Sequence, residues 1–350
     1  MLFPLLRPAL FALDAETAHG LSLTALRASD WAAPLPRVSI DPALKVELAG
    51  LSFPGPLGIA PGYDKNAVAP DALLRLGFGY AEIGTVTPLP QAGNPRPRLF
   101  RLVEDRAVIN RMGFNNDGAE AVAARLAARA GRGGIVGVNV GANKDSPDRI
   151  ADYAAMVRRM APLADYLTIN ISSPNTPGLR ALQDEGELAA LLDAVIAARP
   201  VGGPPVFLKL APDLQSADID AICRLALDPK ADKRLDALIV ANTTISRPPL
   251  RSRHADEAGG LSGEPLRDLA HQRLHDFRSA SGGAIPLIGV GGIASAQDAW
   301  ARIRAGASLI QLYSAMVYAG PGLPRAINRG LLKLMRREGF STIAEAVGSA

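Results

Sequence analysis

The sequence predicts an α/β chain folded as a (β/α)8 TIM barrel with an N-terminal two-helix extension, and three observations predict it. Eight apolar, β-rich runs (55–60, 80–86, 135–140, 166–171, 205–210, 237–241, 285–290 and 308–313) alternate with eight alanine- and leucine-rich helical stretches. The runs are nearly continuous in apolar residues, as strands of a parallel sheet covered by helices must be. The eight units fill residues 55–338, and a barrel takes about 250 residues or somewhat more. An open, doubly wound sheet uses the same alternation and is the structural alternative.

Residues 1–30 read as one or two short amphipathic helices. Leu2, Phe3, Leu5, Leu6, Leu10, Phe11 and Leu13 make the first apolar around much of its circumference. Asp14 can cap the second, in which Ala18, Leu21, Ala25 and Ala28 recur at helical spacing. Two destinations suit the pair: packing on the barrel, or lying on a membrane surface, since so short an apolar helix is hard to hide. Residues 31–54 are rich in proline and turns, with a strand-like piece at 45–49. From 55 onward the rhythm runs, with helices at 67–76, 117–130, 148–161, 184–199, 215–228, 265–280, 295–305 and 323–338. Two insertions interrupt it: 88–116, read as a hairpin, and 243–264, read as a long polar loop. Loops of such length in a compact domain are usually functional or disordered. The expected division is an amphipathic helical extension over 1–35 and a barrel over 36–350.

Composition excludes several classes of function. Hydrophobic residues make up 48% of the 350, ample for a large core. Basic residues number 38 against 34 acidic, and their scatter without long runs argues against a nucleic-acid partner. The single cysteine, Cys223, excludes a disulfide framework, an iron–sulfur cluster and a multi-cysteine zinc site. No stretch of 18 uncharged apolar residues offers a transmembrane helix, and the N-terminus lacks the layout of a secretory signal. Gly289-Val290-Gly291-Gly292-Ile293-Ala294 comes near a dinucleotide fingerprint, but no acidic residue follows about 20 positions on. His271 and His275 lie four apart on a stretch rich in arginine and aspartate, and they read as a solvated face. No metal site is expected.

In such barrels the active site lies at the C-terminal ends of the strands. The residue types there are many neutral amides, two lysines and few carboxylates. The amides include Asn110, Asn139, Asn170, Asn175 and Asn242; the lysines are Lys65 and Lys209. Paired amide donors and acceptors suit a planar ligand ringed with carbonyl and N–H groups, not glycoside hydrolysis, which needs two carboxylates. Lys209 sits inside the apolar run 205–210 and so asks for a negative charge, fixed or developing. Gly291-Gly292 leads into a helix beginning near Ser295, at the usual phosphate site of this fold.

These residues carry a resemblance. Its carriers are Asp64-Lys65, the run 82–88, Pro97-Arg98-Leu99-Phe100-Arg101, the runs 110–116 and 170–177, Leu208-Lys209, Asn242-Thr243-Thr244, and the runs 259–263 and 289–293. Over nearly its whole length the chain resembles the dihydroorotate dehydrogenases, in their quinone-linked class 2 form. The resemblance implies oxidation of dihydroorotate to orotate in pyrimidine synthesis, with hydride passing to FMN and a membrane quinone as final acceptor. Ser173 matches the family's base, which takes the proton from carbon 5 of the substrate. A serine is a poor base unaided, and Thr176 and Phe114 match positions associated with its proton exit route. Lys65, Asn110, Arg111, Met112, Gly113 and Phe114 match substrate contacts, as do Asn170, Asn175, Asn242 and Thr243. Pro61, Gly62, Lys65, Thr85, Asn139 and Asn170 match cofactor contacts. So do Lys209, Ala241, Gly263, Gly291, Gly292, Tyr313 and Ser314, with Lys209 placed to stabilise the charge formed on reduction. One departure is Pro61, where the family more commonly has alanine.

The class follows from the same comparison. Class 1 members, and the related FMN barrels that act on tRNA or pyrimidines, use a cysteine where this loop carries Ser173. The N-terminal helices match the class 2 mouth through which quinone reaches the flavin, and His19 and Arg101 match residues lining it. The resemblance therefore implies a monomer held peripherally by these helices on the cytoplasmic side of a bacterial inner membrane. Eukaryotic members add a targeting segment and a membrane helix, which are not expected here.

Overall fold

The computed structural model describes residues 3–32, 38–176, 178–228 and 235–350. The expected boundary at 35 and Pro177 of the run 170–177 lie outside the described residues. Two helices come first, α1 (Phe3–Ala12) and α2 (Ala15–Ala32). Asp14 starts α2 as its side chain accepts from the Thr17 amide at 2.9 Å. A hairpin follows, β1 (Val46–Leu48) with β2 (Leu51–Phe53).

Eight parallel strands then close on themselves: β3 (Leu57–Ile59), β4 (Tyr80–Val86), β7 (Ile135–Val140), β8 (Tyr166–Asn170), β9 (Val206–Leu210), β10 (Ala237–Val240), β12 (Leu287–Val290) and β13 (Ala307–Leu312). Closure is made where Ile310 and Leu312 of β13 register with Leu57 and Ile59 of β3, which rules out the open sheet. The helices expected between strands are present, each within a few residues of its predicted span: α3 (Pro70–Arg75), α4 (Gly118–Ala128), α5 (Arg149–Met160), α6 (Glu185–Ala198), α7 (Ser216–Ala226), α8 (Arg267–Ala280), α9 (Ala296–Arg304) and α11 (Leu323–Arg337). A short helix not foreseen, α10 (Ser314–Ala319), directly follows β13. The first of the set starts three residues later than predicted. The buried Asp64 carboxylate accepts from the amides of Asn66, Val68 and Ala69 and so holds that stretch as a loop.

The barrel interior is layered. At the N-terminal ends of the strands Tyr80, Tyr166 and Phe207 pack with Phe53 of the hairpin, whose ring stands 5.2 Å from that of Tyr80 and edge-on to it. The hairpin thus plugs that end. Gly137 is glycine because the Tyr166 ring lies over it: a Cβ there would come within 2.0 Å of the ring. Above the aromatic layer the interior turns polar and opens toward the strand C-termini.

A second, antiparallel sheet stands beside the barrel. The predicted hairpin forms β5 (Leu99–Leu102) and β6 (Ala107–Asn110). The stretch 243–264, expected to be loop throughout, instead contributes a third strand, β11 (Gly260–Gly263), paired to β6. Gly-Leu-Ser-Gly offers one apolar side chain, Leu261, so its composition reads as loop. Only pairing with distant residues makes it a strand, with Leu261 in a small core with Phe100, Leu102, Ala107 and Ile109.

Candidate functional site

A cavity of about 820 Å³ begins at the strand C-termini and continues between α1 and α2. Its barrel end is lined by most of the predicted site residues: Pro61, Gly62 and Lys65 after β3, and Thr85 on β4. Asn110, Met112, Gly113 and Phe114 come from the end of β6, and Asn170, Ser173 and Asn175 from β8. Lys209, Asn242, Thr243, Gly263, Gly291, Gly292, Tyr313 and Ser314 complete it. Three predicted substrate or cofactor positions do not reach it, and neither does Thr176. Arg111 turns outward, its guanidinium 2.7 Å from Glu257 and 4.5 Å from the centre of the Phe100 ring. Ala241 is buried behind Asn242 in sequence. Asn139 is fully buried one step behind the lining, where its carbonyl oxygen accepts from Thr85 Oγ1 at 2.6 Å and Asn170 Nδ2 at 3.0 Å.

That amide leads to a residue the strand-end reading missed. Asn139 Nδ2 donates to Glu82 at 2.8 Å, and Tyr166 Oη and Gln311 Nε2 donate to the same buried carboxylate. Lys209, opposite Asn170 in the strand register, is 3% exposed. Burial pulls its pKa down, and the Glu82 charge opposes that fall. Glu82 is thus the buried anion whose charge bears on Lys209, without an ion pair between them. The signal was a carboxylate in the middle of the apolar run 80–86.

The loop after β8 is held from several sides. Asn242 Nδ2 donates to Ser172 Oγ, which in turn donates to Asn170 Oδ1, both at 2.8 Å. Ser173 Oγ accepts from the Asn175 amide at 3.3 Å, and Asn175 Nδ2 donates to Asn110 at 3.3 Å. Thr176 Oγ1 is buried with no hydrogen-bond partner among the described residues. Two further residues fix this loop from outside the cavity. Arg180 donates to the carbonyls of Ser172 and Thr243 and pairs with Asp213 at 2.9 Å. Asn94 Nδ2 donates to the carbonyls of Arg111 and Asn175. Neither belongs to a recognisable pattern in sequence; each acts through contacts that only the fold creates.

The helical end of the cavity is apolar, walled by Phe3, Leu6, Leu10, Phe11, Leu21 and Leu26. His19 marks the junction. Its ring lies 5.2 Å from Tyr63 and 6.2 Å from Tyr313. Burial, helped by the Lys65 charge, pulls its pKa down to about 3, so the imidazole is neutral. Lys65 donates to the Gly62 carbonyl at 2.8 Å, and burial pulls its pKa down to about 8. Arg101 donates to the carbonyls of Leu10, Phe11 and Leu13, closing the C-terminus of α1. Glu16 pins the start of α2 through Arg98 at 2.6 Å and Arg96 at 3.0 Å.

The donor set fits a planar cofactor bearing a phosphate. Gly291 and Gly292 line the cavity at φ of 107° and 71°, and a Cβ on Gly292 would fall 2.3 Å from the Cα of Arg267. Only glycine allows this turn to lie between α8 and the cavity. Ser314, in the same lining, has its Oγ 2.6 Å from Ser262 Oγ. Of the charged lining groups, Arg106 is paired with Glu264 at 2.6 Å, which leaves Lys65, Lys209 and Arg101 to make the cavity positive.

Barrel, amide ring, glycine turn and lysine pair define a (β/α)8 enzyme for a flat, anionic ligand. The dihydroorotate dehydrogenase family model matches residues 43–335, and the chain belongs to that family. It is 66% identical over 350 residues, covering 100% of both chains, to the dihydroorotate dehydrogenase (quinone) of Erythrobacter litoralis. It is also 66% identical over 352 residues, 99% of each chain, to the protein of the same name from Novosphingobium aromaticivorans. The crystal structure of the Eimeria tenella dihydroorotate dehydrogenase in complex with ferulenol superposes with a TM-score of 0.89 at 39% identity, over 96% of this chain and 95% of that one.

Proposed function

We propose that the two ends of the single cavity carry the two halves of one reaction. Dihydroorotate is oxidised to orotate, a step of pyrimidine synthesis, among the amides of the barrel end, and a quinone takes up the electrons at the helical end. The continuity of the cavity from Lys209 to Leu6 is the observation that carries this reading. FMN, held by the glycine turn, Ser314, Thr85, Asn170 and Lys209, would supply the two-electron relay when bound.

The chain's own groups do the rest. Asn110, Asn175 and Asn242 offer the edges of a pyrimidine ring their amide donors and acceptors, and Thr243 lies beside Asn242. Lys65 offers the substrate carboxylate a cation, desolvated and therefore strong. Ser173 receives the carbon-5 proton, and the unpartnered Thr176 hydroxyl beside it, with Phe114, provides the way out. Lys209, backed by Glu82, keeps a buried positive charge where negative charge develops.

Exposed Leu5 and Leu6 on α1, Leu21 on α2 and Leu13 in the turn between them suit this segment to a lipid surface, where a quinone is dissolved. No helix among the described residues is long and apolar enough to cross a membrane, so the association we propose is peripheral, by a monomer on the cytoplasmic side of a bacterial inner membrane. The N-terminal extension over 1–35, with α1 and α2, is the quinone and membrane end, and 36–350 the cofactor-binding barrel. The test is spectroscopic. Dihydroorotate added without oxygen should bleach the flavin band of the purified protein, and a quinone, but not fumarate or NAD, should restore it. A band that dihydroorotate leaves untouched would refute the substrate half of the proposal.

A further inference from the structure

Behind the glycine turn, on the side away from the cavity, lies a second charged group. Arg302 of α9 is 2% exposed, and its stem packs 3.6 Å from where a Cβ of Gly289 would stand. One of its nitrogens, Nη2, donates to the carbonyls of Gly291, at 3.0 Å, and Arg267. Its Nε and Nη1 are buried without hydrogen-bond partners among the described residues. Arg267 in turn donates from Nε to the Gly292 carbonyl at 3.3 Å and pairs with Asp298 at 3.0 Å. Neither arginine lines the cavity, whereas Gly291, Gly292 and Ile293 do.

A trans peptide holds its C=O and N–H on opposite sides. With the Gly291 and Gly292 carbonyls drawn back onto the arginines, the N–H groups of Gly292 and Ile293 are turned toward the cavity. Successive N–H groups converging in this way make an anion-binding concavity. The buried, half-satisfied guanidinium is costly by itself. Burial pulls its pKa down to about 10, so it is still charged at neutral pH. An anion on the far side of the turn would offset that cost.

We infer that Arg302 is a positioning residue for the phosphate of the cofactor: it orients the Gly291-Gly292 turn and sets a buried positive charge behind it, without touching the ligand. Arg267 assists at the second carbonyl. The inference rests on the cofactor reading above and deepens it.

Riboflavin, which lacks the phosphate, separates this role from a general structural one. The full-length protein is stripped of flavin and titrated with FMN and with riboflavin, with quenching of flavin fluorescence as the readout. Arg302→Met should weaken FMN about tenfold or more, as loss of a charge-assisted hydrogen bond does. Riboflavin affinity should stay near that of the parent. Equal weakening of both flavins, or no weakening of either, would overturn the proposal. Should Arg302→Met fail to fold, Arg302→Lys decides in its place. It keeps the charge but loses the planar fork, so a selective loss for FMN of about threefold is expected. A parent protein that binds neither flavin would instead remove the cofactor assignment itself, and this proposal with it.

Discussion

Ser173 and Lys65 show how little of the chemistry lies in a side chain's name. Ser173 is 6% exposed and has the Asn175 amide as its nearest donor, at 3.3 Å. Among the described residues no acidic or basic side chain hydrogen-bonds to it, so as the proposed base it depends on the proton's exit. Ser173→Ala should therefore keep its flavin and lose about 10²- to 10⁴-fold in the rate of bleaching by dihydroorotate. Bleaching at the parent rate would move the base elsewhere in the loop. Lys65 makes a prediction in pH. Burial first, and the neighbouring Arg98 charge after it, lower its pKa to about 8, against the opposing pull of Glu16 and Asp64. The cationic form, which would pair with a carboxylate, prevails below that value and is lost above it. KM for dihydroorotate should accordingly be flat below about pH 8 and rise about tenfold per unit above it. Lys65→Met should have a high KM without that limb. A parent KM that does not respond between pH 7 and 9 would take Lys65 out of substrate binding.

At the scale of elements, α1 and α2 are fastened by charged contacts as well as by apolar ones: half-buried Leu23 and Leu26 of α2 pack against the barrel core, and the Phe11 ring stands 5.8 Å from that of Tyr318. No residue of α1 is buried. Glu16 holds α2 to Arg98, whose guanidinium also donates to the carbonyls of Ala92 and Asn94. Asn94 in turn donates to the Asn175 carbonyl, so one chain of hydrogen bonds runs from the second helix to the loop of Ser173. Glu16→Gln leaves Arg98 charged and uncompensated in a nearly buried place. The cost should be about 2 kcal/mol, below that of a fully buried pair because the two carbonyls remain. Hydrogen exchange would show it as faster exchange in α2 with the barrel strands unchanged; unchanged exchange in α2 would mean that the apolar contacts suffice. These fastenings were not legible in the sequence. The barrel was, because strands buried on both faces write themselves as apolar runs, and strand-end residues such as Asn170 and Lys209 then fall into place. Strand β11 was not, because one leucine between small residues carries no period. Asn94, Arg180 and Arg302 were opaque for a related reason: each acts on a residue far away in sequence, whereas Glu82 at least stood out as a carboxylate in an apolar run. Arg111 was legible in position but not in direction, which Glu257 and Phe100 decide.

On the function proposed above, the molecule as a whole joins a water-soluble substrate to a lipid-soluble acceptor, and the cavity's two linings fit that division. Amides and lysines line the barrel end; leucine and phenylalanine line the end walled by α1 and α2. The barrel closes without these helices: its strands pair in a ring and the hairpin of β1 and β2 plugs one end. Their removal uncovers the core surface on which Leu23 and Leu26 pack and takes partners from Arg96, Arg98, Arg101 and Tyr63. Removal of residues 1–32 should therefore leave a folded protein that binds flavin and is bleached by dihydroorotate near the intact rate. Reoxidation by quinone should collapse, because the apolar wall that admits it is gone. Sedimentation with lipid vesicles should be lost in parallel, since Leu5, Leu6, Leu13 and Leu21 supply the exposed apolar surface of this segment. Both half-reactions falling together would point the other way. The helices would then serve chiefly to hold the loop of Ser173 through Glu16, Arg98 and Asn94, and the quinone would have to approach the cavity by another route.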